Sequence, residues 1–167
     1  MKTKLEIIES SVLTEESLDQ MLAFWRFKGK KIVFSNGCFD ILHRGHVDYL
    51  SKAADLGDVL IIGINTDASV HRLKGNTRPI NDEQSRALIV AALSFVTAVV
   101  LFDEDTPYEL IKKIQPDILV KGNDYLPEEI VGYDVVKAKG GEVCTIPLVE
   151  GYSTTSIEHK IVELNRK

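Results

Sequence analysis

The run Lys31-Ile32-Val33-Phe34-Ser35-Asn36-Gly37-Cys38-Phe39-Asp40-Ile41-Leu42-His43-Arg44-Gly45-His46 decides the fold. Its first five residues are largely apolar and predict a strand. The turn that follows carries Gly37, and a helix is expected to start near Gly45. Strand, glycine-bearing turn and helix form the opening half of a βαβ unit, and the same rhythm recurs downstream. Val59–Ile64, Thr97–Leu101, Asp117–Val120 and Glu142–Ile146 are further short apolar runs bounded by Gly, Asp, Asn or Pro. Runs this continuously apolar belong to strands covered on both faces. The expectation is an α/β chain with a doubly wound, parallel, five-stranded sheet flanked by helices.

Helix starts are readable between the strands. Thr106-Pro107-Tyr108-Glu109 reads as N-cap, N1 proline and the N3 glutamate of a capping box, with Leu110, Ile111 and Ile114 facing the sheet and Pro116 ending the helix. Asn81 and Gln84 predict a second box, with Leu88, Ile89, Ala92 and Leu93 turned inward. Thr14 precedes Leu18, Met21, Leu22 and Trp25 at helical spacing, a stripe expected to pack on the sheet edge or on a second subunit. Residues 1–29 are read as a helical extension and 30–167 as the main domain. The segment from Val70 to Asn81 is expected to be a polar loop.

Composition narrows the function classes. The chain has 167 residues, 44% hydrophobic and 27% charged, with a net charge of −5. That is ordinary for a soluble domain able to bury its own core. A broad basic face for nucleic acid is excluded, and no apolar run reaches the roughly 20 residues a bilayer requires. Cys38 and Cys144 make no metal or redox pattern, and no apolar leader is seen, so a cytoplasmic setting without membrane or nucleic-acid partners is expected.

The first turn lies where a doubly wound sheet binds ligands. A helix N-terminus presents free N–H groups and a partial positive charge, Gly37 and Gly45 permit close backbone approach to phosphate, and His43 and His46 add donors. Neither a Walker A loop nor GxGxxG is present. Two histidines three apart are also compatible with capping, packing or a metal pair. His71-Arg72-Leu73-Lys74-Gly75-Asn76-Thr77-Arg78 gathers cations in an acidic chain, after the Val59–Ile64 strand. Lys121-Gly122-Asn123-Asp124-Tyr125 follows another strand at the same edge. Ser153-Thr154-Thr155-Ser156 opens the last helix with hydroxyls and free N–H groups.

A strand followed by GxFDxLHxGH resembles the Rossmann-like HxGH nucleotidyltransferases, which include the cytidylyltransferases. Together with Asn65-Thr66-Asp67, Arg72-Leu73-Lys74-Gly75, Arg78-Pro79, Lys121 to Tyr125 and Glu150-Gly151-Tyr152-Ser153-Thr154-Thr155, it is most similar to the heptose 1-phosphate adenylyltransferases. The likeness runs from about Lys30 to the C-terminus. Two positions depart from the pattern: Asn123 replaces a second glycine, and Tyr152 stands where a small residue or Cys is usual.

The resemblance implies transfer of AMP from ATP to D-glycero-β-D-manno-heptose 1-phosphate, giving ADP-heptose and pyrophosphate for lipopolysaccharide core assembly. His43, His46 and Lys74 would contact phosphates. Gly37, Cys38, Phe39, Asp40, Gly45, Lys121, Gly122, Asn123, Asp124, Ser153, Thr154 and Thr155 would hold the nucleotide, with Asp40 orienting the loop or a metal-bound water. Arg72 and Arg78 would serve the sugar phosphate. Mg2+ would ride on the phosphates with few protein ligands, so no resident metal site is expected. Arg86 is placed like an arginine of the related glycerol-3-phosphate cytidylyltransferases but reads equally well as an exposed helical residue. No kinase domain precedes Met1, so another polypeptide is expected to make the heptose bisphosphate and a phosphatase to trim it. Trp25 and its neighbours suggest a homodimer. The rival readings are a cytidylyltransferase acting on glycerol 3-phosphate or another polyol phosphate, and a non-catalytic nucleotide-binding partner of a kinase.

Overall fold

The structure, a computed structural model, describes residues 1–122 and 126–165. Along the chain run α1 (Lys4–Glu9), β1 (Val12–Leu13), α2 (Glu15–Phe27), β2 (Ile32–Gly37), α3 (Arg44–Ala54), β3 (Val59–Asn65), α4 (Asp67–Lys74), α5 (Glu83–Ala91), β4 (Ala98–Phe102) and α6 (Tyr108–Ile114). They are followed by β5 (Ile118–Gly122), a 3-10 turn (Pro127–Glu129), α7 (Tyr133–Ala138), β6 (Glu142–Ile146) and α8 (Thr154–Leu164).

The strands form one sheet in the order β1-β4-β3-β2-β5-β6, and every pairing is parallel. All C-terminal strand ends therefore lie along one edge. The order reverses direction at β2, which pairs with β3 on one side and β5 on the other. All seven residues of the central β3 are buried, which is why it reads as an unbroken apolar run. Alternate residues of each strand feed two cores. Ile32, Phe34, Ile61 and Leu119 pack with Leu18, Leu22 and Trp25 of α2 and Ile111 and Ile114 of α6. Val33, Leu60, Ile62 and Val120 pack with Tyr49, Leu50 and Ala53 of α3 and Ala87 and Val90 of α5. Each such Leu or Ile contributes about 1.5–3 kcal/mol through burial.

Several expectations are corrected. The sheet has six strands rather than five, because Val12 and Leu13 pair with Val99 and Val100 of β4. Of the two places expected for the α2 stripe it takes the sheet: Leu18, Leu22 and Trp25 are buried in the core with Met21 half-buried against it, so those residues are not available to a second subunit. In α5 the inward residues are Arg86, Ala87, Val90 and Ala91, while Ile89 and Ala92 face solvent. Asp82, not Asn81, caps it by accepting from Ser85 N–H at 2.8 Å, because the Asn81 N–H is already bound to Asp40. Pro107 rather than Thr106 is the N-cap of α6, without a side-chain cap. The segment read as a polar loop is helical through Lys74: Thr66 caps α4 and its Ser69 and Val70 are buried.

Candidate active site

The turn after β2 is fixed by two buried charged residues. Asp40, 4% exposed, accepts from Ile80 N–H at 2.8 Å and Asn81 N–H at 2.9 Å, and Arg78 Nε lies 3.1 Å from its Oδ2. Both carboxylate oxygens are thus filled by protein donors, which suits loop ordering and leaves none turned to a metal-bound water. Arg86, 1% exposed, donates to the carbonyls of Cys38 at 2.6 Å and Asn81 at 3.0 Å and pairs with Asp67 at 2.8 Å. It is the residue most clearly missed by sequence reasoning. Its signal was its place on the α5 stripe beside Ala87, Val90 and Ala91.

Between these anchors Phe39 adopts φ +48°, a left-handed conformation that costs a non-glycine residue about 1 kcal/mol or more. Its ring then folds over Gly37, within 3.0 Å of where a Cβ would sit. Gly37 therefore makes room for Phe39, and it also lines the cavity described below. Gly45 likewise leaves room for the His43 ring, 3.1 Å from its missing Cβ, and for Tyr152 at 3.3 Å.

His43 is the N-cap residue of α3, and its imidazole stacks on that of His46 with ring centroids 3.8 Å apart. The His43 N–H is directed at His46 Nδ1 at 3.4 Å, so the His46 proton resides on Nε2. Burial first, then the neighbouring His43 and Lys74, push the His46 pKa down to about 4; burial also lowers that of His43. At neutral pH both rings are uncharged donors. Among the described residues, nothing hydrogen-bonds His43 Nδ1 or Asn36 Oδ1.

These groups border a cavity of about 350 Å³ at the C-terminal strand edge. Lys74, Lys121 and Gly122 line it, as do Tyr152, Ser153 and Thr154 ahead of and within the first turn of α8. The N-termini of two eleven-residue helices, α3 and α8, thus meet there, and their free N–H groups make an anion site. Ser153 caps α8 by accepting from Ser156 N–H at 3.0 Å. At the rim, Arg44 donates to the Tyr152 hydroxyl at 3.2 Å. A larger groove of about 940 Å³ beside β4 holds none of these residues, and its rim of Glu9, Glu15, Glu104 and Glu109 repels phosphate.

Three residues expected at the substrate fall elsewhere. Arg72 Nε is held by Asp105 at 2.7 Å and its guanidinium also meets Asp103; the Asp105 hydrogen bond raises its pKa further. Arg78 bridges Asp40 and Glu158. Thr155 is exposed and does not line the cavity. Asn123 and Asp124, also expected there, lie outside the described residues. Among the described residues no cluster of three or more His, Cys, Asp or Glu gathers around a point.

Residues 34–159 match the family model described as cytidylyltransferase-like. The chain belongs to the cytidylyltransferase-like family. Its cytidylyltransferase-like core is 56% identical over 155 residues to the bifunctional protein HldE of Syntrophotalea carbinolica, a match that takes in 93% of this chain and 32% of that protein. HldE of Wolinella succinogenes is 54% identical over 153 residues, 92% of this chain and 31% of that protein. The chain spans about a third of the length of these curated relatives. Among solved structures, the lipopolysaccharide core biosynthesis protein from Thermoplasma volcanium is 30% identical with a TM-score of 0.58, covering 75% of this chain and all of the other. Pantoate-beta-alanine ligase from Francisella tularensis, complexed with beta-gamma ATP and beta-alanine, shares the fold at TM-score 0.55 and 19% identity over 90% of this chain and 77% of its own.

Proposed function

We propose that this chain transfers AMP from ATP to D-glycero-β-D-manno-heptose 1-phosphate, releasing pyrophosphate and forming ADP-heptose for lipopolysaccharide core assembly. The observation that carries the reading is the convergence of His43, His46, Lys74, Lys121 and two helix N-termini on one cavity that presents donors and cations. The ordered motif blocks supply the substrate class, and the likeness to a lipopolysaccharide core biosynthesis protein supports it.

The chemistry suits this donor set. A phosphate oxygen of the sugar 1-phosphate, already anionic, attacks the α-phosphorus of ATP; the bond from that phosphorus to the bridging oxygen breaks, and pyrophosphate leaves with the electron pair. No base is needed to make the nucleophile. His43 and His46 donate to the α- and β-phosphates from their imidazole N–H groups, and the α3 and α8 N–H groups and Lys74 stabilise the charge that builds on the α-phosphorus oxygens and the leaving group. Lys121, whose Nζ donates to the Asn36 carbonyl at 3.4 Å, adds a second cation to the cavity wall. Magnesium enters with the nucleotide as the Mg·ATP substrate, neutralising its phosphates. ATP as donor substrate accords with a cytoplasmic reaction, and residues 1–29 belong to the catalytic domain, supplying its edge strand β1 and the α2 side of its core.

The test is pyrophosphate release with ATP, CTP, GTP and UTP, each against both anomers of heptose 1-phosphate and against glycerol 3-phosphate, with magnesium. ATP with the β-anomer is the expected productive pair. Turnover confined to CTP would reassign the substrates in line with the family's name, and nucleotide binding without turnover on any acceptor would reduce the chain to a binding module.

A further inference from the structure

At the end of the sheet opposite the cavity, α2 runs out into solvent with two uncovered aromatic rings. Phe24 is 51% exposed and Phe27 84%. Lys28 follows, its ammonium 5.9 Å and 6.0 Å from the two ring centroids. The chain then turns at Gly29, φ +64°, into Lys30 and Lys31 and enters β2. Arg26, Lys28, Lys30 and Lys31 are all exposed.

Two of the carboxylates around this turn are already committed, while Asp55 and Glu142 at the same sheet edge are exposed. Asp58 pairs with Lys30 at 3.2 Å and accepts the Lys31 N–H, and Asp117 pairs with Lys139 at 2.8 Å. Arg26 is held by the Ile114 carbonyl at 2.8 Å, close enough to Asp117 to lower its pKa, and among the described residues no carboxylate makes an ion pair with Lys28 or Lys31. A chain of net charge −5 thus concentrates unpaired cations beside its most exposed rings. The overall charge argues against broad attraction to a membrane, but the local field is the opposite.

We propose that this edge docks on an anionic lipid surface, with Phe24 and Phe27 entering the headgroup layer and Lys28 and Lys31 meeting lipid phosphates. Three observations favour lipid over protein. Both rings stand on the last turn of α2 and line neither of the cavities described above, so they suit insertion into a soft layer better than reception of a partner's side chain. A symmetric contact with a second copy would set Lys28 and its neighbouring cations against their own kind. Aromatic rings flanked by Lys and Arg are also the composition of interfacial anchors, where apolar burial and attraction to anionic headgroups act together. Because the strands are parallel and β2 runs from this turn to Gly37, docking here leaves the cavity mouth open on the far edge, about 20 Å away at the rise of an extended strand. Product would be released next to the surface without the site being covered.

The experiment is co-sedimentation of the full chain with vesicles of phosphatidylcholine alone or containing phosphatidylglycerol, at low and high salt. The expected result is retention on the anionic vesicles about fivefold or more above the neutral ones, lost at high salt and reduced about fivefold by either Phe27→Ser or Lys28→Glu. Pyrophosphate release and the melting temperature should not change in these variants, since both side chains are exposed and far from the cavity. Absence of vesicle binding, or binding unaffected by both substitutions, would overturn the proposal. So would a wild-type dimer in sedimentation without lipid that Phe27→Ser dissociates, because the patch would then be a contact between copies.

Discussion

The guanidinium of Arg86 donates at 2.6 Å to the carbonyl of Cys38, 48 positions earlier in the chain. That bond and the grip of Asp40 on Ile80 and Asn81 hold the Phe39 turn from both sides. Arg86→Met is expected to cost about 2–4 kcal/mol, because it leaves two half-buried carbonyls without a donor and Asp67 without its partner. Arg86→Lys should recover part of this. Urea denaturation of the three proteins decides it; a loss below about 0.5 kcal/mol for Met would show that water replaces the guanidinium without penalty.

His46→Ala should lower turnover about a hundredfold or more while the chain stays folded, the usual effect of deleting one donor to a transition-state oxyanion. Steady-state pyrophosphate release and far-UV circular dichroism together test this. Turnover within a few-fold of wild type would remove His46 from the chemistry.

Lys74 and Arg72 stand two positions apart but face different partners. Lys74→Ala should reduce kcat about tenfold or more, since a cation at the phosphates is lost. Arg72→Ala, which breaks only exposed pairs with Asp103 and Asp105, should leave kcat within about threefold and stability within about 1 kcal/mol. Equal losses in the two variants would show that Arg72 swings into the cavity on substrate binding.

Nucleotide binding should take up protons in mildly acidic buffer. The free-site pKa of His46 is lowered to about 4, and a bound triphosphate favours the protonated ring and raises it. Between the free and bound values the complex carries more proton than the free protein, so affinity should rise as pH falls from 7 toward 4. Folding runs the other way: the His46 pKa is depressed in the folded chain, so stability is full above the ordinary histidine value and declines as pH falls through it toward 4. Calorimetry of ATP binding in buffers of differing ionisation enthalpy reads the uptake directly; zero uptake at pH 5 would mean that His46 does not meet the phosphates.

Gly45→Ala probes the packing of His43. A methyl group there would lie 3.1 Å from the imidazole and 3.3 Å from Tyr152 Cβ, so the ring must shift by a few tenths of an ångström. Alanine is favoured over glycine in a helix by about 1 kcal/mol, which offsets the crowding. Stability should therefore change little while kcat falls about tenfold or more, as expected when a donor is displaced by a fraction of an ångström. Unaltered kcat would show that the ring accommodates the methyl freely.

Five strands could be read from the sequence to within two residues at each end because continuous apolar runs between turn residues have few other uses. Val12 and Leu13 could not, since a two-residue strand has no period and is defined only by its partner Val99 and Val100. The helical state of His71 to Lys74 was hidden because only Ser69 and Val70 of α4 are buried, too narrow a stripe to stand out from a polar segment. In the site, His43 and His46 were visible as a local motif. Arg72 and Arg78 were visible as cations, but their carboxylate partners lie 31 to 80 positions away, and nothing local says whether an arginine meets a substrate or an aspartate. Arg86 is the converse case, a charge on an apolar stripe whose acceptors are backbone carbonyls and carry no residue signature.

No residue of α8 is buried, although its first turn forms one wall of the cavity. A helix so lightly attached is released by local opening at a free energy well below that of global unfolding, so its amides exchange with solvent early while those of β3 persist. A phosphate bound at its N-terminus couples that opening to ligand release. Occupancy of the site would then be legible as slowed hydrogen exchange in residues 154–164, most of which never touch the nucleotide.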